Sequence, residues 1–296
     1  MAFLAGCSSG SITPPSQSSQ ATSTSKTGDD FLFVSNSIKG KVEIYKHASK
    51  SVYRTITTPG RPQGLAIDGS GDLYVANGSE DYVNVYAPPY KSASSRLEVG
   101  QYSNGVATSP LSGEVVVIVS DELIVFGKGG QEPCFHYDPP GYSELSYAAF
   151  DSADNLYFDG LDASGNVLIS VAHIDCGTPF LRMLKTGNEF LSPGILAVGR
   201  DERLSILDPA ARAVYTYGRL KVRALGNPIF VTPLNGESVK NPVAFVFANE
   251  GKVLFTADHG SGFVDQFPFR SGGHPAITYS INGKPSGVAV APAFVP

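Results

Sequence analysis

Three acidic residues, Asp159, Asp208 and Asp258, each close a short apolar segment of the same kind, at residues 155–159, 203–208 and 252–258. Carboxylates gathered at one place can hold a hard divalent cation such as Ca²⁺, with backbone carbonyls and water completing its shell. Such a cation would polarise a bound carbonyl for hydrolysis or elimination, and Arg61 or Lys284 would stabilise the negative charge that develops. A plainer account competes with this one. Asn36, Asn77 and Ser120 close matching segments, and short polar side chains at a strand end hydrogen-bond the backbone of the following turn. Six similar residues at six equivalent places also describe repeated architecture.

Other chemistry is thinly represented. The histidines, His47, His136, His173, His259 and His274, are scattered along the chain. His259 alone falls beside the acidic positions, and one histidine is not a zinc site. The acidic runs at 68–72 and 151–155 lack the central Gly and the later Glu of a calcium-binding EF-hand loop, and read as hairpin turns. No Gly-x-Ser-x-Gly elbow or phosphate-cradling Gly loop stands in a suitable context.

The elements that carry these residues repeat at steps of about forty to fifty residues. A small-residue-rich first strand recurs around 64–67, 105–107, 147–150, 195–198, 244–247 and 287–290. A second strand follows each turn, at 31–36, 72–77, 114–120, 155–159, 203–208 and 252–258. Third and fourth strands complete most units, with Gly, Asp, Asn and Pro in the turns between them. The first unit begins directly with a second strand, and its missing innermost strand lies at the far end of the chain, at 287–290. These features predict an all-β, six-bladed β-propeller over residues 30–296, closed by pairing of N- and C-terminal strands in one blade. The fifth unit is the most degenerate, with its outer strand expected within 222–231. In such a ring the second-strand ends and the entries to the inner strands gather at one mouth of the central channel. That funnel is the expected ligand site, with Arg61, Gln63, Asn77, Asn104, Asp159, Asp208, Asp258 and Lys284 as candidates.

One unit carries a family signature. Pro62-Gln63-Gly64-Leu65-Ala66-Ile67-Asp68, then Gly71-Asp72-Leu73-Tyr74-Val75-Ala76-Asn77, then Tyr82-Val83-Asn84-Val85-Tyr86, resembles the NHL-repeat pattern. Residues 151–159 and 285–290 echo it. The resemblance implies a six-bladed propeller of the broad group that includes NHL proteins and SMP-30/gluconolactonase-like enzymes. That group holds binding platforms and enzymes alike. Its lactonases use a Glu, Asn and Asp ligand set with the Glu at the start of an inner strand. The acid at such an entry here is Glu144, placed by the sequence in a loop over 137–146.

Composition narrows the partners. The formal net charge is −5 and charged residues make up 17 % of the chain, so the chain as a whole has no basic excess to neutralise a nucleic-acid backbone, and nucleic acid is not expected as a partner. Leu4-Ala5-Gly6-Cys7 resembles the lipobox of bacterial lipoproteins, which implies acylation of Cys7. Only Met1, Ala2 and Phe3 precede the box, so residues 1–7 read as a truncated signal. Residues 8–29, rich in Ser and Thr, read as a flexible tether. Membrane attachment is then through the lipid alone. Cys134 and Cys176 remain, at the same phase of consecutive blades, and an envelope location permits a disulfide between them. Together these readings point to a lipid-anchored propeller outside the cytoplasm that binds an envelope protein or glycan. Tyr142 and Phe190 are the expected aromatic anchors of that contact. The rival expectation is a metal-dependent lactonase-like hydrolase or lyase acting on a small sugar-derived substrate.

Overall fold

A computed structural model describes residues 31–291 except 47–48, 175, 178, 188, 200, 219–223 and 249–250. The lipobox with Cys7 and the 8–29 segment lie outside the described residues.

Six four-stranded antiparallel sheets form a ring. The first blade holds β1 (Phe31–Asn36), β2 (Lys41–Lys46) and β3 (Val52–Thr57), and its inner strand is β26 (Pro285–Ala291) from the far end of the chain. The second runs outward through β4 (Pro62–Ile67), β5 (Leu73–Asn77), β6 (Tyr82–Tyr86) and β7 (Ser95–Glu98). The third comprises β8 (Gly105–Thr108), β9 (Val115–Val119), β10 (Glu122–Phe126) and β11 (Phe135–Tyr137). The fourth comprises β12 (Glu144–Phe150), β13 (Asn155–Leu161), β14 (Val167–His173) and β15 (Phe180–Met183). In the fifth, β17 (Leu196–Val198), β18 (Leu204–Asp208), β19 (Ala213–Thr216) and β21 (Phe230–Pro233) follow a short β16 (Lys185–Thr186). The sixth comprises β22 (Pro242–Ala248), β23 (Val253–Asp258), β24 (Phe263–Pro268) and β25 (Ile277–Ser280).

The second strands explain the core. Every residue of β1, β5, β9 and β18 is buried, because each face of such a strand packs against a neighbouring blade. Phe33, Val42, Ile44 and Ile56 of the first blade meet Leu73, Val75 and Tyr86 of the second in one such layer. Burying each of these large side chains contributes about 1.5–3 kcal/mol, so blade-to-blade contact holds the ring together. Closure follows the expected route: β26 pairs β1 with Phe31 opposite Ala291 and Val34 opposite Val288. The inner strand β26 also packs against β4 and β22, completing the circle.

Three details differ from the sequence reading. The outer strand of the fifth blade, β21, lies at the end of the expected 222–231 segment and runs past it. Before it, β20 (Ala224–Gly226) pairs in parallel with β16, Lys185 opposite Ala224, and fastens the exit of the fourth blade to the fifth. Residues 144–146 belong to the inner strand β12, where Glu144 pairs Leu161, and not to a loop. Cys134, just ahead of β11, is disulfide-bonded to Cys176, ahead of β15, with Cα atoms 5.4 Å apart. The bridge links the outer layers of the third and fourth blades.

Candidate functional site

Each inner strand has a hydrogen-bonded partner on one side only, so its other backbone edge faces the axis. Together the six edges enclose a central channel of about 530 Å³. One mouth carries Gln63, Asn104, Glu144 and Ser286, and the far end carries Ile67, Thr108, Phe150, Val198 and Val290. Small residues line the wall between them, among them Gly64, Ala66, Ala148, Ala197 and Ala244. Inter-blade bonds hold the wall in place. Ser35 Oγ donates to the Gln63 carbonyl at 2.6 Å, Ser286 Oγ to that of Pro62 at 2.9 Å, and Thr108 Oγ1 to that of Ile67 at 3.0 Å.

Around the polar mouth stand the second-strand ends, and the structure shows what each side chain binds. Asn36 Oδ1 accepts from the Lys39 and Lys284 amides, both at 3.3 Å, while its Nδ2 donates to the Asn282 carbonyl at 3.1 Å. Asn77 repeats the arrangement: Oδ1 accepts from the Arg61 amide at 2.9 Å and Nδ2 donates to the Pro59 carbonyl at 2.5 Å. Asp258 Oδ2 accepts from the Lys240 and Asn241 amides at 2.5 and 2.7 Å, and its Oδ1 from the Ser261 amide at 2.7 Å. Asp159 accepts from the Tyr147 amide at 3.1 Å and the Gly194 amide at 2.8 Å. Asp208 accepts from the Ala210 and Ala211 amides of its own turn at 2.9 and 3.0 Å. Four of these five side chains therefore fasten a strand end to the segment entering an inner strand, in their own blade or the next.

The three carboxyls are buried, Asp159 completely. Burial pushes the Asp159 carboxyl well above the usual carboxylate range, and the Gly194 and Tyr147 amides pull it partly back. Among the described residues no three His, Cys, Asp or Glu side chains are grouped so as to hold a metal ion. His259 is half-buried and its amide donates to the Asn241 carbonyl at 3.0 Å.

What stays accessible at the mouth is a rim of polar side chains. Arg61, Asn104, Glu144, Lys240, Asn241 and Lys284 are exposed and Gln63 is half-buried. Sequence reasoning missed Tyr147, a half-buried inner-strand residue whose ring lines the channel. Burial, then the nearby Asp159 carboxylate, pushes its phenol up to about 12, so it stays a neutral donor through the physiological range. A large side chain among small ones in the inner-strand segment 147–150 was the available signal. The two expected aromatic anchors turn inward instead. Tyr142 rests against Phe158 with ring centroids 5.4 Å apart and donates to Ser170 Oγ at 2.7 Å. Phe190 is 9 % exposed and packs edge-on to Tyr215. Both pack beneath their own loops, where the apolar ring leaves water.

No family model matches the chain, and no curated protein matches it by sequence. Among solved structures, a chain in the crystal structure of a nidogen/laminin complex is similar in fold, with a TM-score of 0.69. The match covers 90 % of this chain and 100 % of that one at 16 % sequence identity. At that identity the likeness establishes the six-bladed β-propeller fold, as the strand order does independently.

Proposed function

We propose that this chain is a non-catalytic binding module of the cell envelope, held to a membrane through an acylated Cys7 and presenting the channel-mouth face to a protein or glycan partner. One observation carries the reading. The buried Asp and Asn side chains at the mouth are engaged by backbone amides, whereas the exposed rim of Arg61, Asn104, Glu144, Lys240 and Lys284 is left to contact another molecule. The NHL-like unit over 62–86 supports a recognition role, since many propellers of that group are platforms. The structurally similar chain was itself solved in a complex, between nidogen and laminin.

The test is photo-crosslinking in cells, with a benzophenone amino acid replacing Arg61 or Lys284 at the mouth, or Lys128 and Lys252 at the opposite end. A discrete adduct from the mouth positions alone is the expected result. Adducts absent from the mouth, or equally strong from both ends, would sink the assignment. Acylation is checked separately, by labelled-palmitate incorporation into the exported protein, which Cys7→Ser abolishes.

A further inference from the structure

We propose that the corner of the first blade where the described chain begins is a docking surface for an anionic lipid bilayer. The inference extends the envelope reading but stands on different residues. Between Ile44 and Ile67 the sequence contains Lys46, Lys50, Arg54 and Arg61 and no Asp or Glu, in a chain whose net charge is −5. The fold brings the first three of these cations to one corner. Phe31 pairs with Lys46 across β1 and β2. On the outer strand the register slips, so that Ile44 opposes Arg54 and Tyr45 opposes Val52, leaving Tyr53 as the extra residue of a bulge. A bulge at a sheet edge re-aims a side chain, and here it lays the Tyr53 ring over Phe31 at 5.2 Å while leaving the residue 51 % exposed.

The same ring gathers the charges. Lys46 Nζ lies 4.8 Å and Arg54 Cζ 5.9 Å from its centroid, and Val52 beside it is 45 % exposed. Among the described residues none of Lys46, Lys50 and Arg54 is ion-paired with a carboxylate. An exposed tyrosine with a neighbouring apolar side chain, ringed by unpaired cations, matches a bilayer surface. The ring and Val52 settle at headgroup level and the cations meet lipid phosphates. The position also fits. Phe31 lies at the end of β1 remote from Asn36 and the channel mouth. The first thirty residues join the domain here, so an anchor on Cys7 would keep this corner within the tether's reach of the membrane, and docking through it would leave the mouth facing away.

The experiment is vesicle flotation of the full chain carrying Cys7→Ser, which removes the acylation site, at low salt. Binding to phosphatidylglycerol vesicles and none to phosphatidylcholine vesicles is expected, with binding lost as salt rises. Each cation contributes about fivefold to partitioning, so Lys46→Gln/Lys50→Gln/Arg54→Gln together lose about a hundredfold. Lys39→Gln/Lys185→Gln/Arg212→Gln removes equal charge from exposed positions on the mouth side and keeps the parent's binding. The single Lys50→Glu, in an exposed loop, guards against a folding defect and should lose more than fivefold. Equal binding by the two triple variants, binding to neutral vesicles, or no binding to phosphatidylglycerol would each overturn the proposal. None of these outcomes bears on the crosslinking at the mouth.

Discussion

Replacing Asp258 with alanine strips an acceptor from three backbone amides, those of Lys240, Asn241 and Ser261, at 2.5, 2.7 and 2.7 Å. The residue is 1 % exposed, so water does not replace the carboxylate on its inner side. A hydrogen bond to a charged group contributes about 1.5–3 kcal/mol. Because Lys240 and Asn241 are themselves exposed and recover part of that from solvent, the net loss should be about 3–4 kcal/mol. For a domain of this size that lowers the melting temperature by about 10 °C. Asp159→Ala frees two amides in a fully buried setting and should cost about 3 kcal/mol. Asp208→Ala frees only two amides of its own turn, the equivalent of a lost helix cap at about 1 kcal/mol. The assay is thermal unfolding of the three variants and the parent, with chelator and with Ca²⁺, Mg²⁺, Mn²⁺ or Zn²⁺ restored. A shared metal site would give the reverse pattern, with similar losses that appear only when the ion is present. A parent melting temperature that falls on chelation and recovers with one ion would refute the capping argument. So would an Asp208→Ala loss as large as that of Asp258→Ala.

Three further outcomes follow from the same geometry. Cys134 and Cys176 are 42 positions apart, so reducing the bridge or making Cys134→Ser/Cys176→Ser should cost about 4 kcal/mol in chain-entropy terms, read by urea unfolding with and without reductant. Asp159 has a folded pKa above its unfolded value, so the native state holds the extra proton and this group's contribution is fully present below the usual carboxylate range. It is lost as pH rises towards the elevated value. The deficit of Asp159→Asn relative to the parent should therefore shrink between about pH 4 and about pH 7, measured by chemical unfolding, and a growing deficit would contradict the shift. Asn77→Asp sets a carboxylate oxygen against the Pro59 carbonyl in place of a donor, and should cost about 2 kcal/mol by thermal unfolding, since an acceptor on a fully buried side chain is left facing another acceptor.

Much of the ring was legible because each unit reports the same local facts. Small apolar inner strands, continuous apolar second strands and Asp-Gly or Asn-Gly turns recur, and the missing inner strand before Phe31 forces the pairing with 285–291. The mouth residues were legible as positions but not as roles. Whether Asp159, Asp208 and Asp258 face one another or separate amides depends on how far apart the blades hold them, which no spacing along the chain encodes. Tyr142 and Phe190 were misplaced for a related reason: an aromatic in a polar loop looks exposed until the blade beneath it is known. In Tyr142 the hydroxyl reaches Ser170 on β14, 28 positions away. The β16–β20 pair escaped because two strands of two and three residues leave no periodicity to read.

The choice between Asn and Asp around the mouth has its own logic. Where the entering segment offers both an amide and a carbonyl, the ring uses asparagine: Asn36 bridges the Lys284 amide and the Asn282 carbonyl, and Asn77 the Arg61 amide and the Pro59 carbonyl. Where the bonded backbone groups are amides alone, it uses aspartate, as at positions 159, 208 and 258. An amide side chain matches one donor and one acceptor, and a carboxylate matches two or more donors. The clustering of acids in the last three blades, which first suggested a cation site, thus follows from what the backbone presents there. Side chains so engaged position the entry segments, and the exposed groups those segments carry, Arg61 and Lys284 among them, are what another molecule would meet.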